Sequence, residues 1–126
     1  MLLIAALLSA DELRQLADTA RRLGMVPLVE CHSEVELEML RGDEWEMVGL
    51  NNRDLRTFEV SLDRSIALLP AMPVDCLKIA ESGINTGVDV AHLEAAGFGA
   101  FLVGESLLLS ADPAGKLLEL VGLEAN

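Results

Sequence analysis

The sequence predicts an α/β fold in which helices pack over a parallel sheet. Five short segments are almost continuously apolar, which is typical of strands buried on both faces: residues 2–8, 26–30, 47–50, 76–80 and 100–103. Segments with helical periodicity separate these runs, so strands and helices alternate along the chain. With 126 residues, 52% of them hydrophobic, the chain can build one core, and we expect a single domain over residues 1–126.

The first two helices are predicted from capping patterns. Ser9 and Glu12 have the spacing of a capping box, and Gly24 supplies the stop signal of the first helix. Ser33 and Glu36 repeat this spacing at the start of the second helix. The apolar positions of the second helix that we expect to cover the sheet are Val35, Leu37, Met39 and Leu40.

The remaining helices are delimited by proline and glycine. They are expected at residues 61–69, before Pro70 and Pro73; at residues 88–96, before Gly97; and from Asp112, an N-cap followed by Pro113. Trp45 precedes the third predicted strand and is expected to pack under a helix.

Charge and cysteine usage exclude several classes of protein. The formal charge of -12 argues against a nucleic-acid or anionic-membrane partner, because no Lys/Arg cluster offsets the repulsion from phosphates. The N-terminal MLLIAALL is too short for a membrane span and lacks a basic region before it, so we interpret it as a strand and expect a cytoplasmic protein. Cys31 and Cys76 lie in no CxxC motif and are expected to be reduced and buried.

Polar side chains collect where four of the predicted strands end. These clusters are residues 30–32, 51–53, 81–83 and 104–106. Because the carboxyl ends of parallel strands meet at one edge of a sheet, we expect the clusters to lie together and to form a functional site. His32 and His92 have no second ligand at a useful spacing, so no metal is expected there.

Two of the clusters allow more than one interpretation. Glu30 closes an apolar run, so its carboxylate is expected to be partly desolvated, with a raised pKa suited to proton transfer; a carboxylate that caps the next helix is an equal alternative. Asn51 and Arg53 could form an Asx-turn beside a surface arginine, the more common arrangement. The functional alternative is an amide and a guanidinium aimed at a hydroxyl or carboxylate of a ligand.

The last two clusters predict a phosphate site. Ser82-Gly83 and Gly104-Glu105 are expected to expose backbone N–H groups at helix starts, which is the usual phosphate-binding arrangement after the last strands of a barrel. An acidic chain can still bind phosphate in this way, because the donors are backbone amides.

Four segments together resemble indole-3-glycerol phosphate synthase, an enzyme of the tryptophan pathway. They are PLVECHSEVEL, VGLNNRDLRTFEVSLDRS, AESGINTGVDVAHLEAAG and AFLVGESLLLSADPAGKLLEL, and with them the resemblance covers essentially the whole chain. It implies a partial (β/α)8 TIM barrel, whose five βα units correspond to strands 4–8. It also implies ring closure of 1-(2-carboxyphenylamino)-1-deoxyribulose 5-phosphate, with loss of carbon dioxide and water, to indole-3-glycerol phosphate, without metal or organic cofactor.

The resemblance also implies roles for individual residues. Glu30 would transfer a proton in the dehydration step, and Asn51 would orient the polar groups of the substrate. Arg53 would reach the anthranilate carboxylate, and Glu81 would lie near the reacting centre. The remaining assignments are a phosphate cradle of Ser82, Gly83, Gly104 and Glu105, the last through its backbone N–H, and an apolar wall for the aromatic ring made by Leu50 and Leu102.

The departure from the family is as informative as the match. A complete barrel of this type needs about 250 residues, so the resemblance implies that the first three βα units are absent. The lysine that acts as general acid in ring closure has no counterpart, and Lys78 cannot replace it because it lies inside a predicted strand. We therefore expect the chain alone to be inactive.

The predicted strands 2–8 and 100–103 would be open, apolar sheet edges. Such edges predict self-association or pairing with a first-half barrel fragment. A self-associating half-barrel that binds phosphate without catalysis is the alternative function.

Overall fold

The computed structural model describes residues 1–123, so the last three positions of the predicted domain lie outside the described residues. Five parallel strands form one sheet in the order β1-β2-β3-β4-β5. They are β1 (Leu2–Ile4), β2 (Leu28–Cys31), β3 (Met47–Asn51), β4 (Leu77–Glu81) and β5 (Ala100–Leu102). The predicted α/β fold is confirmed, and a single parallel sheet in sequential order agrees with part of a barrel.

Helices follow the strands in turn. They are α1 (Ala10–Arg22), α2 (Glu34–Glu38), α3 (Leu62–Leu68), α4 (Gly87–Ala96), α5 (Glu105–Leu108) and α6 (Pro113–Leu120). The predicted strand 2–8 is too long, because Ala5–Leu7 forms a 3-10 turn directly after β1. The short helix α5 was not predicted, since four residues are too few to show a helical period.

Four helix starts are capped by side chains; Asp112 accepts from Gly115 N at the start of α6, and the other three follow the serine or threonine pattern. The Ser9–Glu12 capping box is present, with Glu12 N donating to Ser9 Oγ and Ser9 N donating to the Glu12 carboxylate. Thr86 and Asp89 form a second box, which sequence analysis did not identify. Ser33 caps α2, but the Glu36 carboxylate accepts from His32 N at 2.7 Å, so the predicted second box does not close.

The core lies between the sheet and the helices. Its fully buried side chains include Leu13 of α1, Leu37 of α2 and Leu93 of α4. Val35 was predicted to cover the sheet, but it is 76% exposed because α2 is one and a half turns long and turns only Leu37 inward.

The two cysteines and the tryptophan differ in their surroundings. Cys31 is fully buried on β2, whereas Cys76 is only partly buried, so the prediction of two buried thiols is half right. Trp45 is buried, as predicted, and its Nε1 donates to the carbonyl of Leu40 at 3.0 Å. The guanidinium of Arg21, from α1, lies 5.7 Å from the centre of its ring.

The sheet ends in two unpaired edges. Leu2 on β1 and Leu102 on β5 are about half exposed, at 47% and 52%. No helix in the described 123 residues is long and apolar enough to cross a bilayer.

Replacing Ser9 with Ala is expected to lower the free energy of unfolding by about 1 kcal/mol, because it removes an N-cap hydrogen bond. Ser61 is the matched control: it is also an exposed serine N-cap, at the start of α3, but its side chain makes no cap hydrogen bond. Urea denaturation should therefore show a smaller loss for Ser61→Ala. Equal losses for the two variants would contradict the assignment.

Candidate functional site

A cavity of about 330 Å³ opens at the carboxyl edge of the sheet. Its lining comes from the ends of β2 to β5 and the loops that follow: Glu30, Asn51, Glu81, Ser82, Gly83, Ile84, Asn85, Leu102, Val103, Gly104, Glu105 and Ser106. The structure thus brings together most of the polar residues that the sequence places at strand ends.

Strand register brings two carboxyl groups into one place. Glu30 on β2 pairs with Gly49 on β3, and Asn51 pairs with Glu81 on β4. A Cβ at position 49 would overlap Oε1 of Glu81, so the Glu81 carboxyl occupies the space that a side chain at Gly49 would take. It therefore lies over β3 and faces Glu30.

The two carboxyl groups differ in proton affinity. Glu81 is only 2% exposed, and burial, followed by the neighbouring Glu30 carboxylate, raises the pKa of Glu81 to about 8. The pKa of Glu30 is lowered, chiefly by the His32 imidazole beside it. The prediction of a raised pKa for Glu30 is therefore wrong, because the sequence could not show that His32 folds back onto that carboxylate.

Asn51 forms the Asx-turn that was one of its two predicted alternatives, and its amide also contacts a side chain of the cavity. Its Oδ1 accepts from Arg53 N at 2.9 Å in an Asx-turn, and its Nδ2 donates to Glu30 Oε1 at 3.2 Å. Glu30 itself lies within β2 and makes no cap of α2, since that position belongs to Ser33. The turn thus holds an amide against the ionised carboxylate.

Arg53 pairs with a residue that the sequence assigned to a different function. Its Nη2 donates to Glu105 Oε2 at 2.6 Å, and the side chains are 31% and 64% exposed. Such an exposed pair contributes little to stability. Its consequence is positional, because it ties the loop after β3 to the start of α5.

The loop after β4 has an unusual backbone. Ser82 and Gly83 both have left-handed conformations, with φ of 65° and 70°. Contrary to prediction they are not at a helix start, because α4 begins only at Gly87. Gly104 does lie at a helix start, as the N-cap of α5.

Several backbone N–H groups of these loops are free. Within residues 1–123 they include those of Gly83, Ile84 and Gly104, which donate to no protein acceptor and belong to residues that line the cavity. Consecutive free N–H groups in a turn of this kind form a concave donor site for an anion.

Asn52 belongs to the predicted cluster 51–53, but sequence analysis assigned it no role of its own. It is completely buried, its Nδ2 donates to the carbonyl of Ser82 at 2.9 Å, and its backbone N donates to that of Glu81 at 2.7 Å. It therefore fixes the left-handed turn from the neighbouring strand. The second amide of the NN pair was the signal in the sequence.

Strand alternation separates the two leucines that were expected to form an apolar wall. Leu102 lines the cavity, but Leu50 is fully buried in the helix-facing core, because it follows Gly49 and precedes Asn51, which face the other way. Leu50 is therefore not part of this site. Lys78 lies inside β4, as predicted, and does not line the cavity.

Among residues 1–123, no group of three or more His, Cys, Asp or Glu side chains is arranged so that it could hold a metal ion. His92 is exposed on α4, and its Nε2 lies 3.7 Å from Asp63.

Comparisons with known proteins agree on one family. The family model for indole-3-glycerol phosphate synthase matches residues 1–120. The enzyme of that name from Dehalococcoides mccartyi is 44% identical over 121 residues, covering 96% of this chain and 47% of the relative. Its counterpart from Variovorax paradoxus is 47% identical over 120 residues, covering 95% of this chain and 45% of the relative. The chain spans about half the length of the curated relatives it matches.

Solved structures share the architecture at low sequence identity. The 3-hexulose-6-phosphate synthase from Salmonella typhimurium has a TM-score of 0.79 at 15% identity, covering 96% of this chain and 59% of the other. A structure described as native KDPGal has a TM-score of 0.67 at 17% identity, covering 96% and 56%. At such identity the likeness shows the fold alone.

Replacing Gly49 with Ala is expected to lower the free energy of unfolding by about 1–3 kcal/mol, because the new methyl group overlaps the buried Glu81 carboxyl. Gly104→Ala is the control, since a Cβ there meets nothing within 4 Å. Urea denaturation of both variants tests this. A Gly49→Ala variant as stable as the control would mean that the carboxyl does not occupy this space.

Replacing Glu81 with Gln is expected to change how stability depends on pH. The pKa of Glu81 rises from 4.5 to about 8 on folding, so the folded state binds more protons between these values, and wild-type stability falls as pH rises through that window. The amide does not titrate. The free energy of unfolding of the variant should therefore rise relative to that of wild type between pH 4.5 and 8, by on the order of 5 kcal/mol.

Denaturant titrations at several pH values test this, with Glu44→Gln as an exposed control. An advantage of Glu81→Gln that stays constant across the window would refute a raised pKa.

Proposed function

Because this chain belongs to the indole-3-glycerol phosphate synthase family, we propose that its cavity binds 1-(2-carboxyphenylamino)-1-deoxyribulose 5-phosphate and takes part in its conversion to indole-3-glycerol phosphate. The observation that supports this best is the pair Glu30 and Glu81, whose pKa values are shifted in opposite directions inside one cavity. Two titratable groups separated in this way divide into an acid and a base at neutral pH.

The phosphate of the substrate is assigned to the loops after β4 and β5. The free N–H groups of Gly83, Ile84 and Gly104 offer three donors on one side of the cavity. Glu105 would repel a phosphate, but its carboxylate is paired with Arg53. Backbone donors and a paired carboxylate make this side of the cavity suitable for an anion despite the acidity of the chain.

The carboxyl pair suits the last step of the reaction. Ring closure joins the aromatic carbon that bears the carboxylate to the sugar carbonyl carbon, whose oxygen takes a proton; carbon dioxide then leaves and the ring becomes aromatic again. In the dehydration, Glu81 would give its proton to the departing hydroxyl, which leaves as water. Glu30 would take the proton from the carbon next to nitrogen. The pair starts and ends with one proton, so it needs no cofactor.

The aromatic end of the substrate is assigned to Leu102 and Arg53. Leu102 is half exposed on β5 and lines the cavity, so it can pack against an anthranilate ring. Arg53 would keep its Nη2 bond to Glu105 and offer its other guanidinium nitrogens to the anthranilate carboxylate. Asn51 would keep Glu30 in place throughout.

The open sheet edges favour a partner. β1 and β5 each lack a neighbour on one side within the described chain, and paired parallel strands would satisfy both. We assign this partner role to the first three βα units of the barrel, which in the family also provide the general-acid lysine of ring closure. A cytoplasmic location belongs to the same proposal.

The same edges favour one second function. Two copies of the chain could pair edge to edge through β1 and β5, which would give a module that holds phosphate without catalysis.

An assay of indole-3-glycerol phosphate formation, by fluorescence of the indole, separates the two functions. The purified chain should form no product alone and should form it when mixed with a polypeptide carrying the first three βα units of the Dehalococcoides mccartyi relative. In the active mixture Glu30→Gln should lower the rate by about 10²–10⁴, and Glu44→Gln should not.

Product from the chain alone would overturn the need for a partner. No product in the mixture, together with phosphate-induced NMR shifts at Gly83, Ile84 and Gly104, would favour the module without catalysis. Absence of those shifts would sink the phosphate assignment.

A further inference from the structure

His32 lies directly behind the carboxyl pair. It follows β2, is only 8% exposed, and places its ring between two carboxylates. Its Nε2 lies at ion-pair distance from Glu30 Oε1, 3.1 Å, without the angle of a hydrogen bond, and its Nδ1 lies within hydrogen-bond distance of Glu36 Oε2, at 3.3 Å. A neutral imidazole carries a proton on one nitrogen only, so it would turn a lone pair toward one of these carboxylates. The geometry therefore favours the doubly protonated cation.

Glu36 is held where it contacts this ring. Its Oε2 accepts from the backbone N of His32 at 2.7 Å, and its Oε1 accepts from Ser33 Oγ at 3.0 Å. Ser33 in turn caps α2. The carboxylate behind the imidazole is thus fixed by the start of a helix.

We infer that His32 is a positioning residue of the carboxyl pair: as a cation anchored by Glu36, it holds Glu30 ionised and so leaves the single proton of the pair on Glu81. The use of this arrangement in catalysis rests on the proposed function, but the arrangement itself does not. His32 does not line the cavity, but under this inference it determines which of the two carboxyl groups is the acid and which is the base.

The surroundings of Glu30 support the inference. His32 is the only cation among the groups that shift the pKa of Glu30, while Asn51 contributes a neutral amide and Glu81 a second carboxyl. The pKa of His32 is raised, first by Glu30 and then by Glu36, against the effect of burial. Arg53 is not among the groups that shift the pKa of Glu30, and its guanidinium is directed to Glu105 instead.

Removing the cation should make the proton affinities of Glu30 and Glu81 more similar. With a neutral residue at position 32, Glu30 loses its charge partner, and the proton is shared between Glu30 and Glu81 rather than held on one of them. In the proposed reaction this would weaken the acid and the base together.

NMR titration of the full chain, labelled with ¹³C at glutamate carboxyls and histidine rings, tests the inference. The chain has two histidines, so His92→Gln assigns the His32 signal. His32 should titrate above about 6.5, the value of a free histidine. In His32→Gln the Glu30 signal should titrate at least about 1 pH unit higher than in wild type.

A second pair of variants guards against a His32→Gln protein that does not fold. Glu36→Gln should lower the titration midpoint of His32, whereas Glu34→Gln, at an exposed position of the same helix, should leave it unchanged. A His32 midpoint below about 6.5, equal effects of these two variants, or a Glu30 titration that ignores His32→Gln would each overturn the inference.

The titrations need no turnover, so they stand apart from the proposed function. In the active mixture with the first three βα units, His32→Gln should move the pH optimum and lower kcat with little change in KM. An inactive mixture with the expected titrations would count against the proposed function and leave the role of His32 intact.

Discussion

The site depends on one constraint: the carboxyl group of Glu81 is buried next to that of Glu30. The two groups meet over the intervening strand β3, at a position that has no side chain. Glu81 can lie over β3 only because Gly49 leaves the space, and Gly49 is the ladder partner of Glu30. Burial disfavours the charged form, so one of the two groups keeps a proton at neutral pH. The register of β2, β3 and β4 thereby places a protonated and an ionised carboxyl group side by side in the cavity.

The polar shell around this pair is assembled from neighbouring strands and is held by short backbone links. Asn52 binds the turn at Ser82, and Asn51 binds both its own turn and Glu30. Ser106 Oγ donates to the carbonyl of Ile84 at 3.0 Å, which links the two loops assigned to phosphate. These links join β3 to β4 and β4 to α5, so a shift of one strand would be transmitted to each part of the site.

Much of the fold could be predicted from the sequence, because continuous apolar runs and caps are local signals. The five strands and the helix starts at Ser9 and Asp112 follow from such signals. The errors arise where local pattern and tertiary position conflict. Leu50 was assigned to the cavity from the family resemblance, yet it faces away from the neighbouring Asn51, because adjacent residues of a strand face opposite ways. His32 was considered only as a metal ligand, since its contact with Glu30 depends on how the chain turns after β2.

The buried thiol of Cys31 can serve as a probe of local unfolding of the sheet. Its thiol is fully buried on β2, and burial raises its pKa, so the reactive thiolate is scarce while the sheet is intact. Cys76 is partly exposed in the segment before β4. The rate at which a thiol reagent modifies Cys31, compared with Cys76, would therefore report how often the strand that carries Glu30 opens, without any added probe.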